Sequence, residues 1–514
     1  MDCPIVRDEP RRSSDRLSAL TSWDADWAGL KVVVTGITKT GFSVADTLAE
    51  LGARVVVVAG SDDEDSRRAA DTLKIVGVTE VILGQDTSTL LPLVDGEQAE
   101  LVVTSPGYRP SHPLLLSAAD ADIPIWGDVE LAWRVQVKAG RKTAKWLTIT
   151  GTNGKTTTTT MVEGMLQAAG LRAIAVGNIG TPILDAVRDP EGYDVLAVEL
   201  SSFQLHWSDS LEPLASVCLN LAEDHVDWHG SFAAYAADKA KVYAHTKSVC
   251  VYNAEQIETE RMVQDADVQE GCRAVGFTTG LPAISMIGVV EGLIVDRAFI
   301  AERADSAVEL AHCSDISELV PRHLVANAAA AAALVRAAGL TPEDVRNGLR
   351  AYSDGDHRIA PVATIDGVLW VNDSKATNPH AASASLSAFN PVIWIAGGLS
   401  KGVEYDALVQ THAARLKAVV IIGAESSALA GALLRHAPKV PLIHLEGGQT
   451  GSGDAVMAAA VAASAEIAES GDTVLMAPAS ASMDQFSSYA HRGESFINAV
   501  RELLDRRASA NKES

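Results

Sequence analysis

Cysteine and positive charge are the two things this chain of 514 residues has little of. Five cysteines, at Cys3, Cys218, Cys250, Cys272 and Cys313, form no CxxC pair and are odd in number, which excludes a disulfide framework or a zinc ribbon. The pattern reads as reduced and intracellular. Lys and Arg number 42 against 66 Asp and Glu, a net charge of −24. Wrapping a polyanion needs the opposite excess, so stable binding to nucleic acid is not expected, while small local phosphate sites remain open. No apolar run reaches the roughly 18 residues of a membrane span, and residues 1–27 are polar and charged without an apolar signal core. The expectation is a cytoplasmic protein with no membrane insertion, a monomer, and a flexible tail over residues 1–27.

What is present is a globular composition, with 47% hydrophobic and 21% charged residues, and a length that suits about three domains. LKVVVTGITKTGFSVADTLAELGARVVVVAG alternates β-branched runs with a helical pattern and reads as a βαβ unit. Its turn, Gly36 to Gly41, lies where doubly wound sheets bind ligand phosphates. GxxxxG is not the dinucleotide fingerprint, and the second strand ends Val58-Ala59-Gly60 without an acid for a ribose hydroxyl, so a nicotinamide cofactor is a minor alternative. A second α/β pattern starts at WLTITGTNGKTT and ends in an Ala-rich helical hairpin over 322–350. A third begins near residue 355 with strands VLWVNDS, VIWIAGG, AVVIIG, PLIHL and DTVLMAP. The expected fold is α/β in three domains: Rossmann-like over 28–140, a central P-loop ATPase-like parallel sheet over 141–354, and a C-terminal Rossmann-like domain over 355–514.

The strongest chemical signal is Gly151-Thr152-Asn153-Gly154-Lys155-Thr156-Thr157, directly after a strand and opening a helix. Glycines let successive N–H groups turn toward phosphates, a lysine balances their charge, and a hydroxyl can join Mg²⁺. The spacing is GxxGKT, shorter than the common P-loop. Glu199 ends the next strand, before Ser201-Ser202-Phe203-Gln204. A carboxylate there is either a Mg²⁺ ligand or a capping or solvated acid, and the upstream loop favours the metal. Asp224-His225-Val226-Asp227-Trp228-His229 precedes a helix with Lys239, and a helical lysine is by default a solvated charge. In the third region Asn372-Asp373-Ser374-Lys375-Ala376-Thr377-Asn378, Gly397 to Gly402, and Ala477 to Phe486 crowd strand ends, which suggests one shared cleft.

In order along the chain, TGTNGKTT, VELSSFQL, DHVD with its downstream lysine, HLVAN, the His-Arg pair and GGLSKG resemble the Mur ligase family, the ATP-dependent amide ligases that build the peptidoglycan stem peptide. NDSKATN and APASASMDQFSSYAHRGESF are most similar to its D-glutamate-adding members. The resemblance implies a ligase that uses ATP and Mg²⁺ to join D-glutamate to UDP-N-acetylmuramoyl-L-alanine through an acyl phosphate. Another amide ligase of this fold, or a silent ATP-binding module, is the alternative. It implies that Gly151 to Thr157, Asn327, His357, Arg358 and Asp373 bind ATP. Thr156, Glu199, His225 and a carbamylated Lys239 would serve the metal, with Lys155, His225 and Lys239 as catalytic residues. Gly36, Ile37, Thr38, Ser105, Pro106, Gly107 and Asn178 would contact the UDP substrate, and Lys375, Thr377, Lys401, Ser482 and Tyr489 the D-glutamate.

Overall fold

The computed structural model describes residues 13–85, 89–316, 320–352, 359–400, 403–424, 426–445 and 453–513. The chain forms two compact units, Met1–Asp315 with Ala326–Tyr352, and Ile316–Val325 with Ser353–Ser514. The first unit contains two sheets and the second contains one.

The first sheet is built from β1 (Lys31–Thr35), β2 (Arg54–Ala59), β3 (Glu80–Leu83), β4 (Leu101–Thr104) and β5 (Ile125–Gly127), in the order β3-β2-β1-β4-β5. All neighbours are parallel. Val32, Val33, Val34 and Val55 to Val58 are buried, as strands covered on both faces require. The order reverses between β1 and β4, so the turn at Gly36 and the turn at Ser105 flank the crevice where such sheets bind ligands.

The second sheet has nine strands: β6 (Lys145–Thr150), β7 (Ala173–Gly177), β8 (Val195–Glu199), β9 (Ala215–Cys218), β10 (Val249–Asn253), β11 (Arg273–Phe277), β12 (Met286–Val290), β13 (Leu293–Asp296) and β14 (Val308–His312). Their order is β14-β13-β12-β11-β10-β9-β6-β8-β7, with β12, β13 and β14 paired antiparallel. The parallel strands agree with the alternating strand and helix pattern of the sequence, and the antiparallel extension adds to it. β6 lies between β9 and β8, so the loops after these three strands adjoin. The Ala-rich segment is helix over Arg322–Ala337, with Ala328 to Ala333 fully buried, and Thr341 caps the next helix, Pro342–Ala351.

In the second unit, β15 (Ala360–Ile365), β16 (Val368–Asn372), β17 (Val392–Gly397), β18 (Leu416–Ile422), β19 (Leu442–His444) and β20 (Thr473–Met476) order as β15-β16-β20-β17-β18-β19. β16 to β20 are the expected parallel strands. β15 is an antiparallel edge joined to β16 through Asp366-Gly367, whose φ values of 52° and 80° suit a tight hairpin turn.

Residues 13–27 depart from the expected flexible tail over 1–27, of which residues 1–12 lie outside the described residues. Ser13–Ala19 is helical, and Leu17, Leu20 and Trp27 are buried in the core shared with β1, β2 and β4. Apolar residues among the charges of this segment therefore dock, and Arg16 reaches Glu100. Among the described residues no helix is long and apolar enough to cross a membrane.

Candidate active site

At the end of β6 the chain turns through Gly151 to Gly154 into the helix Lys155–Ala168. Gly151 has φ +148° and Gly154 φ +82°, conformations that favour glycine. Asn220, just beyond β9, clamps the loop: its carbonyl accepts from Thr152 N–H at 3.0 Å, its Oδ1 from Asn153 N–H at 2.8 Å, and its Nδ2 donates to Asn153 O at 3.0 Å. Lys155 folds back over the turn, and its Nζ donates to Gly151 O at 2.8 Å and Thr152 O at 3.0 Å. Thr156 and Thr157 lie in the first helical turn, Thr156 partly exposed and Thr157 buried. Asn327 packs against this loop, since a Cβ on Gly154 would come within 2.4 Å of Asn327 Oδ1.

Lys239 is no surface lysine. Only 2% of it is exposed, and its Nζ donates to Gly151 O at 2.9 Å and Thr150 Oγ1 at 3.2 Å, while lying 4.9 Å from the Tyr235 ring centre. Burial, reinforced by the Lys155 charge, brings its pKa down to about 7, with Cys218, Asp224 and Glu199 pulling the other way. Tyr235 stands one turn before it, and Tyr235 Oη shares a 2.9 Å hydrogen bond with Thr152 Oγ1 in the loop. Neither Tyr235 nor Asn220 was singled out in the sequence. Tyr235 shared the i, i+4 face of Lys239, which was the available signal, whereas Asn220 carried none.

Glu199 ends β8 and is 1% exposed. Asn178 Nδ2 donates to its Oε1 at 2.8 Å, while Oε2 is buried with no hydrogen-bond partner among the described residues. Asn178, expected near the UDP substrate, is thus placed on Glu199. His225 adopts φ 53° ahead of the short helix Val226–His229, and its Nε2 is 3.6 Å from Asp224 Oδ2. Its ring packs against Phe203, which also touches Trp228 and His229. Asp238, beside Lys239, accepts from His206 Nδ1 and His229 Nδ1, each at 2.9 Å. Burial opposes the Asp238 charge, and the two imidazoles outweigh it, holding its pKa down to about 2. Among the described residues, no cluster of three or more His, Cys, Asp or Glu side chains forms a complete metal cage.

At the β1–β4 crevice, Gly36 has φ +86°, and a Cβ there would lie 2.7 Å from Ser105 Oγ. Ile37 is buried, and Thr38 precedes the helix Lys39–Glu50 without its side chain capping it. Pro106 and Gly107 follow Ser105 in the facing turn, so the candidate UDP contacts other than Asn178 are gathered at one crevice.

In the second unit the polar loops after β16, β17 and β20 interlock. Asp373 N–H donates to Met476 O, Ala479 N–H to Ala376 O, and Leu399 and Ala481 exchange backbone bonds at 2.9 and 3.1 Å. Lys375 Nζ sits 3.8 Å from the Tyr489 ring centre, Thr377 is half-buried, and Ser482 is buried. Asp373 receives the Ser385 hydroxyl. Arg492 is fully buried, donating to Ser374 Oγ and to the carbonyls of Ser374 and Ser480, and burial brings its pKa down to about 10. His357, Arg358 and Lys401 lie outside the described residues.

The chain matches the Mur ligase MurD-like N-terminal domain over 30–127, the Mur ligase middle domain over 149–335, and the Mur ligase glutamate ligase domain over 357–480. It is 50% identical over 504 residues to the UDP-N-acetylmuramoylalanine--D-glutamate ligase of Leifsonia xyli subsp. xyli, covering 96% of each chain. The enzyme of that name from Streptomyces coelicolor is 52% identical over 479 residues, 93% of this chain and 99% of the relative. Among solved structures, MurF ligase from Thermotoga maritima in complex with ADP superposes with a TM-score of 0.54 at 18% identity, covering 88% of this chain and 96% of that one. A pseudomurein peptide ligase type C from Methanothermus fervidus gives 0.52 at 17%, covering 93% and 99%. At such identities these two structures speak to the fold alone.

Proposed function

The chain belongs to the Mur ligase family, and from that premise we propose how its residues divide the work of the reaction. It is an ATP-dependent ligase that adds D-glutamate to UDP-N-acetylmuramoyl-L-alanine in peptidoglycan precursor synthesis. The observation that carries the residue assignment is the pairing of two lysines, Lys155 and Lys239, on the carbonyl of Gly151.

The alanyl carboxylate attacks the γ-phosphorus of ATP, the bond to the β-bridging oxygen breaks, and an acyl phosphate and ADP form. The loop from Gly151 to Thr157 holds the phosphates, and Lys155 exchanges its carbonyl contacts for phosphate oxygens as charge shifts to the leaving group. The D-glutamate amine then adds to the acyl carbon and inorganic phosphate departs. The amine loses a proton in that step, for which His225 is the candidate acceptor. Lys375, Thr377, Lys401, Ser482 and Tyr489 bind the D-glutamate, whose two carboxylates suit lysines and hydroxyls. Asn327, His357, Arg358 and Asp373 contact the nucleotide, and Gly36, Ile37, Thr38, Ser105, Pro106, Gly107 and Asn178 the UDP substrate.

The residues fit Mg²⁺, because Glu199 keeps a buried carboxylate oxygen with no hydrogen-bond partner among the described residues and this ion takes few protein oxygens beside water and phosphate. Glu199, Thr156, His225 and Lys239 as a carbamate would hold it. When bound, Mg²⁺ supplies charge neutralisation at the phosphates. With its pKa brought down to about 7, roughly half of Lys239 is free amine at neutral pH, and that amine adds CO₂ and releases a proton to become a carbamate. That turns a cation beside the loop into an anionic oxygen donor.

The test is phosphate release with ATP, Mg²⁺ and UDP-N-acetylmuramoyl-L-alanine against D-glutamate, L-glutamate and other amino acids. Release that requires D-glutamate in the parent and is lost in Lys239→Ala and Glu199→Ala supports the assignment. Full activity in either variant removes that residue from it.

A further inference from the structure

Behind the loop and its lysines, another connected set of side chains crosses three helices of the first unit. Ser202 opens the helix Ser202–His206, His229 closes the helix Val226–His229, and Asp238 lies in the helix Phe232–Ala240. His229 Nε2 is 2.9 Å from Ser202 Oγ, His229 Nδ1 is 2.9 Å from Asp238 Oδ2, and His206 Nδ1 is 2.9 Å from the same Oδ2. An ionised carboxylate only accepts, so both Nδ1 atoms carry hydrogen. His229 Nε2 shares its hydrogen bond with the Ser202 hydroxyl. Serine, histidine and aspartate in that order resemble a nucleophilic triad, but Ser202 is 2% exposed and the His229 side chain 1%, so no substrate atom reaches the hydroxyl.

The spacing along the chain points elsewhere. Ser202 comes three residues after Glu199, His229 four after His225, and Asp238 directly before Lys239. We propose that Ser202, His229, Asp238 and His206 form a positioning chain that fixes the segments carrying Glu199, His225 and Lys239 relative to one another. The inference rests on the active-site assignment made above. Such a tie is needed because Val226–His229 is a single helical turn, too short to hold its place by helix formation alone. Its anchor is the doubly bonded His229 ring, packed against Phe203, Trp228 and Tyr235.

Asp238→Ala removes both imidazole bonds, Asp238→Asn keeps an acceptor oxygen, and Ser202→Ala breaks only the outer link. In Asp238→Ala, kcat is expected to fall roughly 10–100-fold, the range seen when a group orienting site ligands is lost, with KM for the UDP substrate unchanged. Calorimetry without the UDP substrate is expected to show weaker binding of Mg²⁺ and ATP. Asp238→Asn recovers most of both losses, and Ser202→Ala shows a smaller fall in the same direction. Parental kcat and ATP affinity in Asp238→Ala, or a loss that merely follows the folded fraction by circular dichroism, overturns the proposal. If Asp238→Ala does not fold, Asp238→Asn and Ser202→Ala decide, and parental-like values in Asp238→Asn with a reduced kcat in Ser202→Ala support the chain, while parental kcat in Ser202→Ala overturns it. Lys239→Ala is measured alongside: full activity there defeats the active-site assignment itself, whereas an inactive Lys239→Ala beside a parental-like Asp238→Ala defeats only the positioning chain.

Discussion

Gly154 closes the loop and Gly164 lies well inside the helix that follows it, and of the two the loop residue is the constrained one. Gly154 has φ +82° and no room for a Cβ beside Asn327, whereas Gly164 is helical with nothing within 4 Å of where its Cβ would be. A left-handed conformation costs a non-glycine residue about 1–2 kcal/mol, so Gly154→Ala is expected to raise KM for ATP roughly tenfold or more. Gly164→Ala leaves KM alone and stabilises the protein by about 1 kcal/mol, because alanine is the better helix former. Initial rates against ATP and thermal melts of the two variants check both. At this scale the loop itself was legible, since GTNGKTT states both the turn and the charge. Lys239 was not: a lysine's burial depends on what another strand and helix place around it, and only the family resemblance singled it out. Asn220 and Asp238 act through partners far away in sequence, which no local spacing records.

Among elements, the junction between the helix Asp128–Val135 and the helix Ser202–His206 stores an unusual charge. Asp128 is buried at the start of its helix, accepts from Gln204 Nε2 at 3.2 Å through Oδ2, and has no hydrogen-bond partner for Oδ1 among the described residues. Burial pushes its pKa up to about 6. Unfolding returns it to an ordinary carboxylate value, so between about pH 4 and 6 the folded state binds more protons and stability falls as pH rises. Asp128→Asn lacks this term. Its stability relative to the parent is expected to increase across that window and level off above pH 6, by on the order of 3 kcal/mol at 1.36 kcal/mol per pKa unit. Urea unfolding of both proteins at pH 4.5 and 7.5 measures it, and a difference independent of pH argues against an ionised Asp128. Elements themselves were legible where hydrophobic runs met helical patterns, as in β1, β2, β6, β8 and β16 to β20. The strands β12 to β15, which reach the sheet edges at β14 and β15, were harder to read. β14 exposes Glu309 and His312, β15 is only partly covered along its length, and pairing through reversals such as Asp366-Gly367 depends on the neighbouring strand more than on the strand's own pattern.

For the whole molecule, the proposed assignments separate two half-reactions. The charged groups proposed to act in phosphoryl transfer, Lys155, Glu199 and Lys239, lie in the first unit, while the D-glutamate contacts Lys375, Ser482 and Tyr489 lie in the second. A residue that serves only the second step should leave the first intact. Lys375, held over the Tyr489 ring at 3.8 Å, is the test case. Lys375→Ala removes a cation that a dicarboxylate would engage, a charge-assisted contact of about 1.5–3 kcal/mol, which predicts a rise in KM for D-glutamate of roughly 10–100-fold. Acyl phosphate formation is read separately by replacing D-glutamate with hydroxylamine, whose nitrogen takes the acyl group to give a hydroxamate and phosphate. Lys375→Ala is expected to form hydroxamate at the parental rate, and Lys155→Ala to form none. Loss of hydroxamate formation in Lys375→Ala would place that lysine at the phosphoryl-transfer step and dissolve the division between the two units.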